Sequence, residues 1–172
     1  MDCLSSIYKT VKDVDFETYV VDNNSSDGSQ AAVKKRFLEV KLIENKTNTG
    51  FAHANNQALK IMNGRFAVLL NSDAVLKEEA IKKLFAFMTA TSSAGIAGVQ
   101  LLNEDSSLQN SIDNFPSTET EVFNKSILRL FLPGKYPSKN RSYQNPIEVD
   151  SVIGACMIVR KEAMDEVGVF DE

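Results

Sequence analysis

The chain has 172 residues, 43% of them hydrophobic and 24% charged, enough for one packed domain and too few for two comfortable ones. Its formal charge of −4 argues against a general nucleic-acid binder, whose affinity rests on clustered Lys and Arg. Cys3 and Cys156 lie far apart in apolar surroundings and read as reduced structural thiols, neither a disulfide framework nor a metal motif. No apolar run reaches the roughly 18 residues of a membrane span and no signal-peptide pattern opens the chain, so a soluble, cytoplasmic protein is expected.

Leu4, Ile7, Tyr8 and Val11 recur at helical spacing, so the chain is expected to open with an amphipathic helix. Glu17 to Val21 is rich in β-formers and runs into Asp22-Asn23-Asn24-Ser25-Ser26-Asp27-Gly28, a cluster of turn and cap residues. A helix carrying Val33 and Phe37 follows, with Ser26, Asp27 or Ser29 able to accept its first N–H groups. A strand around Val40 to Ile43, a polar loop from Asn45 to Gly50, and a helix with Ala54, Ala58, Ile61 and Met62 on one face come next. Asn63-Gly64 is expected to close that helix.

Arg65 to Leu70 is apolar without alternation, as for a strand covered on both faces, and it ends in Asn71-Ser72-Asp73. Ile81, Leu84, Phe85 and Met88 predict another helix, and Ile96 to Leu102 another strand. Asn103 to Pro146 turns polar, with one apolar island at Ile127 to Leu132 that reads either as a short helix packed on the core or as an acceptor or membrane surface. Strand-like runs return at Val149 to Ile153 and Cys156 to Val159, followed by a helix over Lys161 to Val167 that Gly168 ends. This alternation predicts a parallel α/β sheet with right-handed crossovers.

In such a sheet, ligands bind where loops leave the carboxyl ends of the strands. That rule selects Asp22 to Gly28, Asn48 to Asn56 and Asn71 to Asp73. An Asp or Asn oxygen in the first loop can accept the ring N–H of a uracil or thymine, although the same residues also suit a simple helix-capping turn. In the second, Gly50 permits a close backbone turn, and the helix start offers N–H groups and a positive dipole end to a diphosphate. In the third, Asp73 is the better metal ligand and Asn71 the weaker, because a hard cation prefers a carboxylate and can take its other ligands from substrate phosphates and water. His53, the only histidine, suits either an exposed helix position or a phosphate contact.

These segments resemble the family 2 inverting glycosyltransferases of the GT-A fold. Val21-Asp22-Asn23-Asn24-Ser25-Ser26-Asp27-Gly28-Ser29 matches the family's first loop without a break, Asn48 to Asn56 is similar to its N-x-G-x-x-x-A-x-N motif, and Asn71-Ser72-Asp73 resembles its D-x-D region in N-x-D form. Asn55 stands where many relatives carry Arg. Gly154-Ala155-Cys156-Met157 through Arg160, and Gly168-Val169-Phe170-Asp171-Glu172, resemble its G-A-x-M-x-x-R and G-x-F-D-E segments.

The resemblance implies a Rossmann-like, mostly parallel sheet flanked by helices. It implies nucleotide binding by Asp22, Asn23, Ser25, Asn48, Gly50, Asn56 and Asn71, a Mg2+ or Mn2+ ion on Asp73, and an acceptor side at Gly154 and Ala155. The catalytic residue is unassigned: the general-base Asp belongs to an E-D pair expected beyond Glu172, and neither Asp171 nor Glu172 takes its role. The family's first strand, ending in a V-x-Y-N-like sequence, is expected to be missing, with self-association through exposed sheet edges as one consequence. Residues 1–172 are taken as one partial domain, with 1–102 binding the nucleotide sugar, 103–147 a polar excursion and 148–172 the start of the acceptor side.

The implied reaction transfers a sugar with inversion from a UDP- or dTDP-linked donor to a hydroxyl of a cell-surface polysaccharide or lipid-linked glycan, in the manner of the rhamnosyltransferase-like branch. A peripheral position at the inner membrane face of the full-length protein is compatible with this. Two rival readings are a truncated, non-catalytic nucleotide-binding or self-associating fragment, and a sugar nucleotidyltransferase, whose Gly-rich signature is not visible.

Overall fold

The apolar spacing of the first residues is realised as α1 (Asp2–Thr10), which buries Leu4 and delivers Val11 to the core. The structure is a computed structural model that describes residues 1–113, 115 and 142–172. The elements following α1 are β1 (Tyr19–Asp22), α2 (Ser29–Arg36), β2 (Lys41–Glu44), α3 (Gly50–Leu59), β3 (Phe66–Leu70), α4 (Ala80–Ala90) and β4 (Ile96–Gly98). Then come β5 (Ile112–Asp113), β6 (Ser151–Val152), β7 (Cys156–Arg160) and α5 (Lys161–Val167). The apolar island at Ile127 to Leu132 lies outside the described residues.

The expected parallel order holds between β1 and β2, paired from Tyr19 with Lys41 to Asp22 with Glu44. It holds again in the shared direction of β3 and β4, but these two are not neighbours. β7 lies between them and runs antiparallel to both, with Phe66 opposite Arg160, Leu70 opposite Cys156, and Ile96 opposite Val159. A third, short antiparallel pair joins β5 to β6, where the polar excursion leaves and returns. β1 and β3 share no hydrogen bonds, so the described strands form separate sheets.

β7 explains where the core sits. Its side chains alternate across the sheet, sending Cys156 and Ile158 toward Met88 and Leu84 of α4, and Met157 and Val159 toward Leu69 with Leu59 and Met164 at its margin. Met88 and Ile158 have almost no exposed surface. The unbroken apolar run expected for a strand covered on both faces thus fits β7 better than β3, where Val68 stays 37% exposed because it lines an open cavity. Burial also pushes the Cys156 thiol up to about 11, consistent with an unreactive packing residue.

Several element ends differ from expectation for local reasons. α3 stops at Leu59, not at Asn63-Gly64, because Ile61 N–H turns to the Ala58 carbonyl and tightens the last turn, leaving Ile61 half exposed. β4 ends at Gly98, not Leu102, since β7 offers only three partners there and the chain then folds into a turn that pairs Leu102 with Leu108. Gly168, at φ 93°, ends α5 as expected.

Arg160 fastens α4 to the sheet. Its Nε donates to the Ala94 carbonyl at 2.9 Å, and its Nη2 donates to those of Met88 and Thr91 at 2.6 and 2.9 Å, gathering carbonyls from the last turn of α4 and the segment after it. Its guanidinium also lies 5.1 Å from the Phe66 ring centroid. Hydrogen bonds from a charged donor contribute about 1.5–3 kcal/mol. We expect Arg160→Ala to lower unfolding free energy by about 3 kcal/mol in urea titration, with Arg160→Lys recovering less than half because it cannot span all three carbonyls.

Candidate functional site

The exits of β1 and β3 lie along one cavity of about 990 Å³, whose lining includes Asp22, Asn23, Ser25, Asn71, Ser72 and Gly154. α3 borders it through Phe51, Ala54 and Asn55. Four of the sequence-selected residues on this lining are therefore brought together from β1 and β3, and Gly154 joins them from the turn before β7. Asn48, Gly50, Asn56, Asp73 and Ala155 are not part of the lining.

Asp22 is buried, and its Oδ2 accepts the Ser25 backbone N–H at 3.0 Å and the Gln30 amide at 2.6 Å. Burial pushes its pKa up, but the bonds from Gln30, Ser25 and Asn24 outweigh it and hold the carboxyl below its usual range. The loop turns through Asn24 and Gly28 at positive φ, and Asp27 accepts the Ser29 N–H at the start of α2.

The Asn23 amide ties this loop to the next. Its Nδ2 donates to the Gly50 carbonyl at 3.2 Å, and its Oδ1 accepts from Asn45 at 2.9 Å and from the Thr49 hydroxyl at 3.1 Å. Asn45 and Gln57 exchange two further bonds at 3.0 and 2.9 Å. Asn48 Oδ1 accepts the Gly50 N–H at 2.9 Å, closing a turn in which Gly50 sits at φ 81°, where a Cβ would be strained. Thr49 spends its hydroxyl on Asn23 and makes no cap on α3, whose first N–H, that of Gly50, is taken up by Asn48 instead.

On the β3 side, Asn71 N–H donates to the Ala155 carbonyl at 3.0 Å, holding the turn before β7 beside the β3 exit. The Asn71 carbonyl accepts from Cys3 Sγ at 3.4 Å. Asp73 stands exposed on the following turn. Among the described residues no three His, Cys, Asp or Glu side chains gather as a metal cluster.

Asn56 does something the sequence pattern did not reveal. It is 1% exposed, and its Oδ1 accepts the Phe170 N–H while its Nδ2 donates to the Phe170 carbonyl and to Glu172 Oε1, at 3.1, 2.8 and 2.9 Å. His53 Nδ1 and Lys60 Nζ reach the same Glu172 carboxylate at 2.6 and 3.3 Å, so His53 has a carboxylate partner. Phe51 packs edge-on against Phe170, with ring centroids 5.8 Å apart, and its ring would lie 3.7 Å from a Cβ at Gly154. Phe51 and Phe170 pack beside this clasp, while Asn45 and Gln57 support the Asn23 loop; the advance signal for the clasp was that polar Asn56 falls on the same helical face as Ala52 and Leu59.

Fold and cleft define an α/β domain of the GT-A type. A mannosyltransferase of Pyrobaculum calidifontis, solved with GDP-Man and Mn2+, matches it with a TM-score of 0.61 at 20% identity, over 98% of this chain and 42% of that one. The glycosyl transferase family 2 model matches residues 2–168, and the chain belongs to that family. It is 24% identical to a low-salt glycan biosynthesis hexosyltransferase of Haloferax volcanii, over 98% of this chain and 52% of the relative. It is 26% identical to an N-acetylglucosaminyl-diphospho-decaprenol L-rhamnosyltransferase of Mycobacterium tuberculosis, over 89% of this chain and 54% of the relative. The chain thus spans about half the length of these relatives.

The clasp around Glu172 has a defined acid response. Bonds from Asn56, then His53 and Lys60, lower its pKa from 4.5 to about 2. Because folding depresses this pKa, the clasp's contribution is complete above pH 4.5 and is lost as pH falls toward 2. We expect Glu172→Gln to flatten the stability profile across that window in acid titrations, and Asn56→Ala to cost about 2 kcal/mol at neutral pH by leaving the Phe170 backbone groups unpaired.

Proposed function

We propose that this chain is the nucleotide-sugar-binding part of an inverting glycosyltransferase that moves a sugar from a UDP- or dTDP-linked donor to a hydroxyl of a cell-surface polysaccharide or lipid-linked acceptor. The observation that carries this reading is the convergence of Asp22, Asn23, Ser25, Asn71 and Gly154 along one cavity at the strand exits. Asp22, kept ionised by its hydrogen bonds, is suited to accept a pyrimidine ring N–H. Asn23 and Asn48 fix the Gly50 turn at the start of α3, whose following N–H groups would face the diphosphate. Gly154 and Ala155 border the acceptor side, where a Cβ at 154 would rest in van der Waals contact with Phe51. Asn56, with its amide taken up by Phe170 and Glu172, acts here as a positioning residue and not as a nucleotide contact.

The donor set at Asp73 fits a hard cation that takes one carboxylate from the protein and its remaining ligands from a diphosphate and water, with Asn71 as a weaker neighbour. A bound Mg2+ or Mn2+ supplies charge neutralisation of the leaving diphosphate. The Mn2+ complex of the mannosyltransferase supports a divalent ion, and the hexosyl- and rhamnosyltransferase relatives support a glycan acceptor. Among the described residues no helix is long and apolar enough to cross a membrane, which is compatible with work on the cytoplasmic side or at the inner membrane face.

Calorimetry with UDP and dTDP, with and without Mn2+, tests the assignment. Binding of either nucleotide is expected, strengthened by Mn2+ about tenfold, or ~1.4 kcal/mol. Asp73→Ala should abolish the Mn2+ enhancement while leaving metal-free binding intact, and Asp22→Ala should weaken binding with or without metal. Absence of binding at millimolar nucleotide would sink the proposal.

A further inference from the structure

The turn after β3 carries Asn71 and Asp73, and two side chains of α1 hold it at both ends. At its start, the Asn71 carbonyl accepts from Cys3 Sγ at 3.4 Å and from the Ala74 N–H at 3.1 Å, while the Asn71 N–H is spent on the Ala155 carbonyl. At its end, the Leu76 N–H donates to Ser6 Oγ at 3.0 Å, and the Leu76 side chain is buried in the cluster that also takes Val11 and packs against Ile7. Asn71, Ser72 and Asp73 stand exposed between these two anchors.

Ser6 is not an ordinary helix serine. Such a residue commonly returns its hydroxyl to a carbonyl one turn back and faces solvent. Ser6 Oγ does donate to the Cys3 carbonyl at 2.6 Å, but the residue is buried and its oxygen also accepts an N–H from 70 residues along the chain. Alanine at this position would leave the Leu76 N–H without its partner in a buried setting. Cys3 and Ser6 lie one turn apart on a helix that buries Leu4 and packs Ile7 and Val11 on the core, so their two contacts act on the turn as a rigid pair.

We propose that Ser6 and Cys3 are positioning residues for the cation loop, fixing how the turn leaves β3 and so where the Asp73 carboxylate stands relative to the bound diphosphate. This rests on the reading of Asp73 as the cation ligand and deepens it. Neither side chain touches substrate; both act through the backbone of the turn, at Asn71 and Leu76. A loosened turn therefore weakens metal-assisted binding and spares Asp22 and Asn23, which Ser25, Gln30 and Gly50 hold instead.

Calorimetry with UDP, with and without Mn2+, on the 172-residue chain reads the effect. Ser6→Ala is expected to cut the Mn2+ enhancement from about tenfold to about twofold, with metal-free affinity unchanged within about twofold. Ser6→Thr keeps the hydroxyl and should recover most of the enhancement, and Cys3→Ala should lose part of it where Cys3→Ser does not. Arg160→Ala, which loosens α4 at the far end of β3, is the control for lost stability and should keep the full enhancement. Added to Asp73→Ala, Ser6→Ala should have no further effect. An enhancement unchanged in Ser6→Ala or Cys3→Ala would overturn the role of that residue. Equal weakening with and without Mn2+, or the same loss in Arg160→Ala, would overturn the proposal while leaving the nucleotide reading in place. A parent chain that binds UDP with no Mn2+ effect, or binds no UDP, would overturn the underlying reading and this proposal with it.

Discussion

The pairing of β7 with β3 is the constraint on which the rest of the structure depends. It joins residues 156–160 to residues 66–70, and buries four consecutive side chains of β7 between α4 on one face and Leu69 and Met164 on the other. The same pairing ends with Asn71 N–H on the Ala155 carbonyl, which sets the turn carrying Gly154 beside the β3 exit. This antiparallel strand holds the loop after β3 and the turn carrying Gly154 in a fixed relation.

A second layer of constraint is polar. The Asn23 amide bridges two loops that begin from different strands, and the Asn56 amide bridges α3 to the segment following α5. The first extends the β1–β2 ladder into the loops beyond it, and the second joins two stretches that make no ladder with each other. Glu17 plays the same part at the other end of the strands. Bonds from Asn63 and Lys41 hold its carboxyl down to about 2, and it ties the entry of β3 to the paired entries of β1 and β2.

Much of this was legible in the amino-acid order because it is local. The helical spacing of Leu4, Ile7 and Val11, the Asn24 and Gly28 turn, and the stop at Gly168 follow from periodicity and backbone freedom within a few residues. The family resemblance was legible too, since its motifs are short and ordered. What stayed hidden is non-local. Nothing near Phe66 to Leu70 announces that its partner lies about ninety residues on and runs antiparallel. Polar Asn56 within a nucleotide-site motif gave no sign that Phe170 and Glu172 would take up its amide. The exposure of Val68 could not be read from an apolar run, because it reflects the cavity that β3 lines.

The central claim is that the cleft at the exits of β1 and β3 is where a nucleotide binds, and its location can be measured directly. Two-dimensional NMR of the labelled chain, titrated with UDP or dTDP, is expected to move the backbone signals of Asp22, Asn23, Gly50, Asn71 and Ser72 together along one saturation curve. Shifts confined to a remote surface, such as the exposed Lys82 and Lys83 of α4, or no saturable shift at all, would contradict it.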